Sequence, residues 1–168
     1  MMQTLPHRIG FTLLIIFLQI FIFNKINIGG YAVPLMGVVV LFHIPVNAGR
    51  ISVMILAFLI GLILDAFSNT PGLTAGAMTM TAFVQQPLLQ AMSPKDVLED
   101  SIHNKELLGK NKYFFYTAIL MAVHHTVYFL FEAFSLYNLQ TLLLRFAGSY
   151  AFSMLLAYLF ELLRSRKA

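Results

Sequence analysis

Any chemistry in this chain has to come from very few side chains. Of its 168 residues, seven are Asp or Glu, five are His, and none is Cys. The missing thiol removes disulfides, thiolate nucleophiles and Cys-ligated zinc or iron–sulfur clusters. Asp65, Glu132 and Arg145 stand out because each interrupts an apolar run. An ionisable group at the bilayer centre costs about 2.5–3.5 kcal/mol, and less near the ends of a span. His124 and Tyr128 precede Glu132 at intervals of four, a seam that drifts about 40° per step around a helix. Carboxylates, an imidazole, a phenol and a guanidinium in one region could form an acid–base site, a ligand site or a tie between helices. The constellations that would decide for catalysis are missing. His124 and His125 are adjacent, so they point about 100° apart and cannot chelate one metal as an i, i+4 pair can. No His-Glu-x-x-His, paired aspartates, Gly-Ser protease signature or phosphate loop occurs. The histidines are expected to hydrogen-bond between helices, and no enzyme activity, cofactor or metal is expected.

The elements that must position these residues are membrane helices. With 59% apolar and 11% charged residues, the chain is far from the roughly 25% charge of a soluble domain. A soluble domain, a disordered regulator and a secreted mini-protein are excluded. The net charge of +4 is spread over loops and tail, so no nucleic-acid partner is expected. The expected fold is all-α: a polytopic membrane helix bundle of about six spans, one integral domain over residues 1–168. Apolar runs place the spans at about 9–23, 31–44, 51–67, 72–92, 113–134 and 139–163, with a hydrophilic loop at 93–112. The first follows His7 and Arg8 as a signal peptide would. It lacks a small-x-small cleavage site and is expected to stay as a span. The second has 14 residues, about 21 Å of α-helix against a core of about 30 Å. It is expected to be either a short crossing helix or a re-entrant segment, with Pro34 in its first turn and Pro45 closing it.

Charge placement orients the bundle. Lys95, Lys105, Lys110 and Lys112 in the loop are two spans away from Arg164, Arg166 and Lys167 in the tail. The positive-inside rule puts both regions, and the C-terminus, in the cytoplasm. With six spans, nine Lys and Arg lie inside and only Lys25 outside. If the second run does not cross, Lys25 and Arg8 exchange sides and the count is the same, so the N-terminal side stays open. Within the loop, Ser93-Pro94 reads as a helix start and Gly109 as a stop. Val97, Leu98, Ile102, Leu107 and Leu108 give that segment an apolar stripe suited to a membrane surface or to docking a cytoplasmic partner. Ala57, Gly61 and Asp65 recur at intervals of four, as do Arg145, Ser149, Ser153, Ala157 and Glu161, while Gly72 and Gly76 form a GxxxG. Such seams let helices approach closely in lipid. Arg145 is expected to pair with Glu132 or Asp65 in a buried cluster near the outer end of the bundle.

In residues 61–73 (GLILDAFSNTPGL), a glycine-bearing helix ends in Asp65, a turn follows, and Gly72 opens the next helix. This stretch resembles the central motif of the MreD family, the multi-pass subunit of the bacterial rod-shape (elongasome) complex. Ser68-Asn69-Thr70-Pro71-Gly72 is similar to the version in Bacteroidetes-type members, as is the run at 124–135 (HHTVYFLFEAFS). The resemblance covers essentially the whole chain. It implies a non-enzymatic scaffold in the bacterial inner membrane that binds an MreC-like single-span protein. Indirect partners would be the MreB filament, RodA and a class B transpeptidase, in a machine directing lateral peptidoglycan synthesis and cell shape. It also implies a fold like that of the substrate-binding membrane subunits of energy-coupling-factor vitamin transporters, with a pocket near the outer surface. The residues expected to hold structure or partner are Asp65, Asn69, Pro71, Gly72, Gly76, His124, Tyr128, Glu132 and Arg145. Pro71 is expected to set the start of the fourth span and Gly72 to let backbones approach, with the small-residue seams holding the partner's helix. The alternative, from a different class, is a small-molecule-binding membrane subunit of a vitamin-type transporter. Tyr128, Glu132 and Arg145 would then face an outward pocket, and the Ala147/Ala151 and Ser149/Ser153 rows would dock a coupling helix.

Overall fold

In an apolar environment a backbone must satisfy its own hydrogen bonds, which favours helices over any open structure. The computed structural model describes residues 5–26, 32–44, 48–93, 104–133 and 139–165, and these are almost entirely helical. Five α-helices follow in order: α1 (Leu5–Phe21), α2 (Arg50–Ser68), α3 (Leu73–Met92), α4 (Asn104–Glu132) and α5 (Leu139–Ser165). Two 3-10 helices lie between α1 and α2: the turn Phe23–Lys25 and the eight-residue Met36–His43. Arg50–Ser68, Leu108–Glu132 and Leu139–Leu162 are long and apolar enough to cross a membrane, and Ile9–Lys25 is apolar but shorter. The chain is therefore a membrane protein built from helices. The α3 helix is more polar, but its Thr79 and Thr81 hydroxyls donate back to the carbonyls of Ala75 and Ala77, both at 2.7 Å. That return bond is how a hydroxyl is tolerated in an apolar setting.

Gly109 (φ 72, ψ 166) breaks the helical path of α4, at the position where a stop was expected. The surface helix expected in the long loop falls largely on residues 94–103, outside the described residues.

The second apolar run, expected to be a short crossing helix or a re-entrant segment, is not an α-helix. Residues 33–35 are irregular and Met36–His43 is a 3-10 helix. Eight residues rise about 16 Å in this form, against about 12 Å as α-helix. The segment is nearly wholly buried, with Met36, Val38 and Leu41 at zero exposure, and it touches all five α-helices. Apolar periodicity cannot separate such a segment from a buried α-helix, because both read as an unbroken hydrophobic run.

Burying irregular backbone leaves N–H and C=O groups without a ladder, and side chains from three helices take them up. Val33 N–H donates to Ser149 Oγ (3.0 Å) and Leu35 N–H to Ser153 Oγ (2.9 Å), both on α5. Met36 N–H donates to Gln19 Oε1 on α1 (2.7 Å), and Gln19 Nε2 returns a bond to the Pro34 carbonyl (3.1 Å). From α3, Gln85 Nε2 donates to the Leu41 carbonyl (2.9 Å). The spacing matches: serines four apart on a helix differ in height by about 6 Å, close to what two residues of near-extended chain cover. His125, on α4, completes the network. Its Nδ1 lies 2.8 Å from the Met121 carbonyl and its Nε2 3.1 Å from Ser153 Oγ. A carbonyl only accepts, so Nδ1 carries the proton, Nε2 accepts from the Ser153 hydroxyl, and that hydroxyl's oxygen accepts from Leu35.

Ser153→Ala strips the buried Leu35 N–H of its partner and takes the hydroxyl from the His125 ring, which keeps the Met121 and Ser149 backbone groups. It should cost about 2–3 kcal/mol in denaturant unfolding in micelles, against about 1 kcal/mol for Ser149→Ala. Gln90→Ala, on the exposed side of α3, should stay within about 0.5 kcal/mol. Equal losses at all three positions would contradict the role given to Ser153.

Candidate functional site

The candidate residues gather at the end of the bundle formed by the α2–α3 turn, the start of α5 and the end of α4. Asp65 organises the turn with both of its acceptor groups. Its backbone carbonyl takes the N–H of Asn69 and of Thr70 (3.2 Å for the latter), closing α2. Its carboxylate takes the first amides of α3: Oδ1 accepts from Thr74 N–H, Oδ2 from Ala75 N–H, and Oδ1 also from the Thr70 hydroxyl, each at 2.9 Å. Helix N-termini carry orphan N–H donors and a partial positive charge, so a carboxylate there is favoured twice. Asp65 is 3% exposed and does not join the Arg145 cluster. The α3 N-terminus has the better geometric claim on it.

The rest of the turn follows from backbone requirements. Asn69 adopts the left-handed conformation (φ 56, ψ 39) that ends many helices and that Asn tolerates. Leu73 N–H returns to the Thr70 carbonyl at 3.2 Å, and Gly72 sits at φ 83, ψ −9. This is a type II turn, with Pro71 in the position that favours proline and Gly72 in the one that needs positive φ. Gly72 was expected to permit close backbone approach; a Cβ there would meet nothing within 4 Å, so its role is conformational. Nor do Gly72 and Gly76 form a shared contact seam. Gly76 instead faces the Phe131 ring of α4. The close approach belongs to Gly61, where a Cβ would overlap the backbone of Ala75.

His124, Tyr128 and Glu132 share a spacing of four, yet the drift around α4 turns each to a different neighbour. His124 is buried (1% exposed) and its ring bonds the Ala77 backbone on α3. Tyr128, its ring 6.5 Å from that of His124, lines a cavity. Glu132 Oε1 accepts from Arg145 Nη2 of α5 at 2.8 Å. The pair is half-buried, with side-chain exposures of 33% for Arg145 and 27% for Glu132, so it lies at the bundle's margin and not in the buried cluster expected. The Arg145 guanidinium also stands 5.6 Å from the Phe129 ring centroid.

The cavity, of about 350 Å³, lies between α1, the irregular segment, the α2–α3 turn and α4. One wall is a hydrogen-bond chain that spacing arguments missed. Gln19 Nε2 donates to Asn24 Oδ1 (2.8 Å), Asn24 Nδ2 to Ser68 Oγ (2.6 Å), and Ser68 Oγ to the Leu64 carbonyl (2.8 Å). A lone amide in the run IIFLQIF was the available signal, since an amide there needs partners. Lys25, Thr70 and Tyr128 add further polar lining. Among the described residues no three His, Asp or Glu side chains converge as metal ligands would. Neither a family model, nor a curated protein, nor a solved structure matches the chain.

Asp65→Ala should cost about 2–3 kcal/mol, because it removes a charged acceptor from two helix-end amides. Gly72→Ala should cost about 1 kcal/mol through backbone strain alone. Thermal unfolding of the purified variants checks the order, and a larger loss for Gly72→Ala would contradict it. For the ion pair, a double-mutant cycle of Glu132→Gln and Arg145→Gln should give a coupling of about 1 kcal/mol. Zero coupling would mean the two charges act independently.

Proposed function

We propose that this chain is a non-enzymatic scaffold subunit of MreD type in a bacterial inner membrane. It crosses the membrane about six times with a cytoplasmic C-terminus and holds the transmembrane helix of an MreC-like single-span protein. Through that partner it connects indirectly to the MreB filament, RodA and a class B transpeptidase, and so to lateral peptidoglycan synthesis and cell shape. The motif at residues 61–73 motivates the family assignment, and the outer face of α5 supports the scaffold role. Only 11% of the α5 membrane window is buried, against 33% in each of the other two.

The partner's seat differs from the one expected for it. Ala57, Gly61 and Asp65 pack inside the molecule, and Ser149 and Ser153 hold the irregular segment, so those seams are closed to another protein. On the opposite side of α5, Leu144, Ala147, Ala151 and Leu155 are all exposed. Their steps of three and four make a heptad-like stripe, and the two alanines at its centre allow close approach of a second helix in lipid. Gln19, Asp65, His125, Ser149 and Ser153 are meanwhile engaged in internal bonds, which fits a structural role for the polar interior.

A second reading, a small-molecule-binding membrane subunit of a vitamin-type transporter, draws support from the polar cavity of about 350 Å³. Cavities of roughly this size with a few convergent polar groups hold small ligands.

Ala151→Trp, on the outer stripe, should reduce co-purification of a co-expressed MreC-like protein about tenfold or more while leaving the thermal unfolding of the scaffold unchanged. Undiminished co-purification would move the seat off α5. A vitamin-sized molecule retained through purification, with no single-span partner recovered, would favour the transporter reading.

A further inference from the structure

A second cavity, of about 440 Å³, opens at the other end of the α4–α5 pair. The two helices are tied at one end by Glu132–Arg145 and at mid-height by His125–Ser153. Towards the start of α4 and the end of α5 they enclose a cleft instead. Its floor is Val39 and Phe42 of the 3-10 segment, and Phe114, Met154 and Ala157 are among its walls. Phe114 is 47% exposed and Tyr158, also on the lining, 54%. The cleft is thus open sideways, toward lipid. Apolar walls do not hold ordered water, and an occupant that arrives within the membrane plane needs a long apolar body.

The rim sets the charge of that occupant. Lys110 and Asn111, just past the Gly109 break, line the mouth together with Glu161. Lys110 is exposed and meets no carboxylate among the described residues, whereas Glu161 is already engaged within the chain. The neighbouring Lys112 donates to the Met92 carbonyl at the end of α3 (3.4 Å), which leaves the Lys110 amine at the mouth. Basic pockets between membrane helices recognise anionic lipid headgroups through this pairing of an apolar slot with a cation at its edge.

We propose that this cleft is a binding site for an anionic phospholipid, with an acyl chain between α4 and α5 and the phosphate at Lys110. The site is independent of the scaffold reading. One Lys near the surface contributes about 1 kcal/mol toward an anionic lipid, equivalent to about fivefold in retention. The test uses the full chain, stripped of lipid in detergent and then offered dioleoyl-phosphatidylglycerol or dioleoyl-phosphatidylcholine, with bound lipid read by native mass spectrometry. Wild type should retain phosphatidylglycerol about fivefold better. Lys110→Gln should bring phosphatidylglycerol down to the phosphatidylcholine level without lowering the latter, and Ala157→Phe should lower both by filling the slot. Equal retention of the two lipids by wild type would overturn the proposal. So would a preference that survives Lys110→Gln, unchanged retention in Ala157→Phe, or displacement of the lipid by inorganic phosphate at similar concentration. Lys110 is exposed and makes no side-chain bond among the described residues, so its variant decides the matter alone if Ala157→Phe fails to fold.

Discussion

A buried run of backbone without a helical ladder is the constraint on which the rest of this molecule depends. Residues 33–35 and the 3-10 helix Met36–His43 sit at the centre of the bundle, against all five α-helices. Every unpartnered N–H or C=O in such a place costs free energy comparable to a lost hydrogen bond. The polar residues of the interior are distributed accordingly, with Gln19 on α1, Gln85 on α3 and Ser149 and Ser153 on α5 each taking a backbone group of this segment. Because they come from three helices, satisfying the segment also fixes where those helices stand. His125 adds α4 by engaging Ser153. A polar group that would be costly alone in lipid becomes a positional restraint when its partner is irregular backbone.

The α2–α3 hairpin solves a smaller version of the same problem. Two helices meeting at a tight turn leave carbonyls at one end and amides at the other. Asp65 serves both, with its main-chain oxygen for α2 and its carboxylate for α3. This works only if α3 begins close enough to reach the carboxylate. That distance is set by the missing side chain at Gly61, against the Ala75 backbone, and by a type II turn that needs Gly72. Gly61, Asp65 and Gly72 thus act as one device, and the spacing between them is the spacing of its parts.

How much of this could be read beforehand depends on the kind of information. The apolar runs mark where helices lie, and the steps of four mark seams, because both are properties of a single helix. Which neighbour a seam faces is a property of the assembly. Asp65 and Glu132 looked equivalent as partners for Arg145, since both lie near the same end of the bundle. The choice was made by the orphan amides of α3, which no helical spacing reveals. The second run was visibly short for an α-helix that crosses a membrane, but a continuous apolar stretch carries no mark of a 3-10 helix. The hydrogen-bond chain of Gln19, Asn24 and Ser68 joins residues 44 apart between its last two members, beyond the reach of local pattern. Both rows on α5 were legible as docking candidates, yet one of them reversed: the serine row closes inward, while the alanine row stays on the exposed face.

That reversal gives α5 a mechanical consequence under the scaffold reading. Ala147 and Ala151 precede Ser149 and Ser153 by two residues, or about 200° around a helix, so the partner's seat and the bonds to the irregular segment lie on opposite sides of α5. A helix docked on the alanines is separated from the centre of the bundle by the thickness of α5 alone. Any tilt it imposes acts on the Val33–Ser149 and Leu35–Ser153 bonds. Those bonds and the Glu132–Arg145 pair hold α5 from mid-height to one end, whereas at the other it rests on apolar contacts, with Phe160 edge-on to Phe23 at 6.4 Å, beside the cleft at Phe114, Met154 and Ala157. Apolar contact is non-directional, so side pressure on α5 is taken up more readily by sliding at that end than at the hydrogen-bonded one.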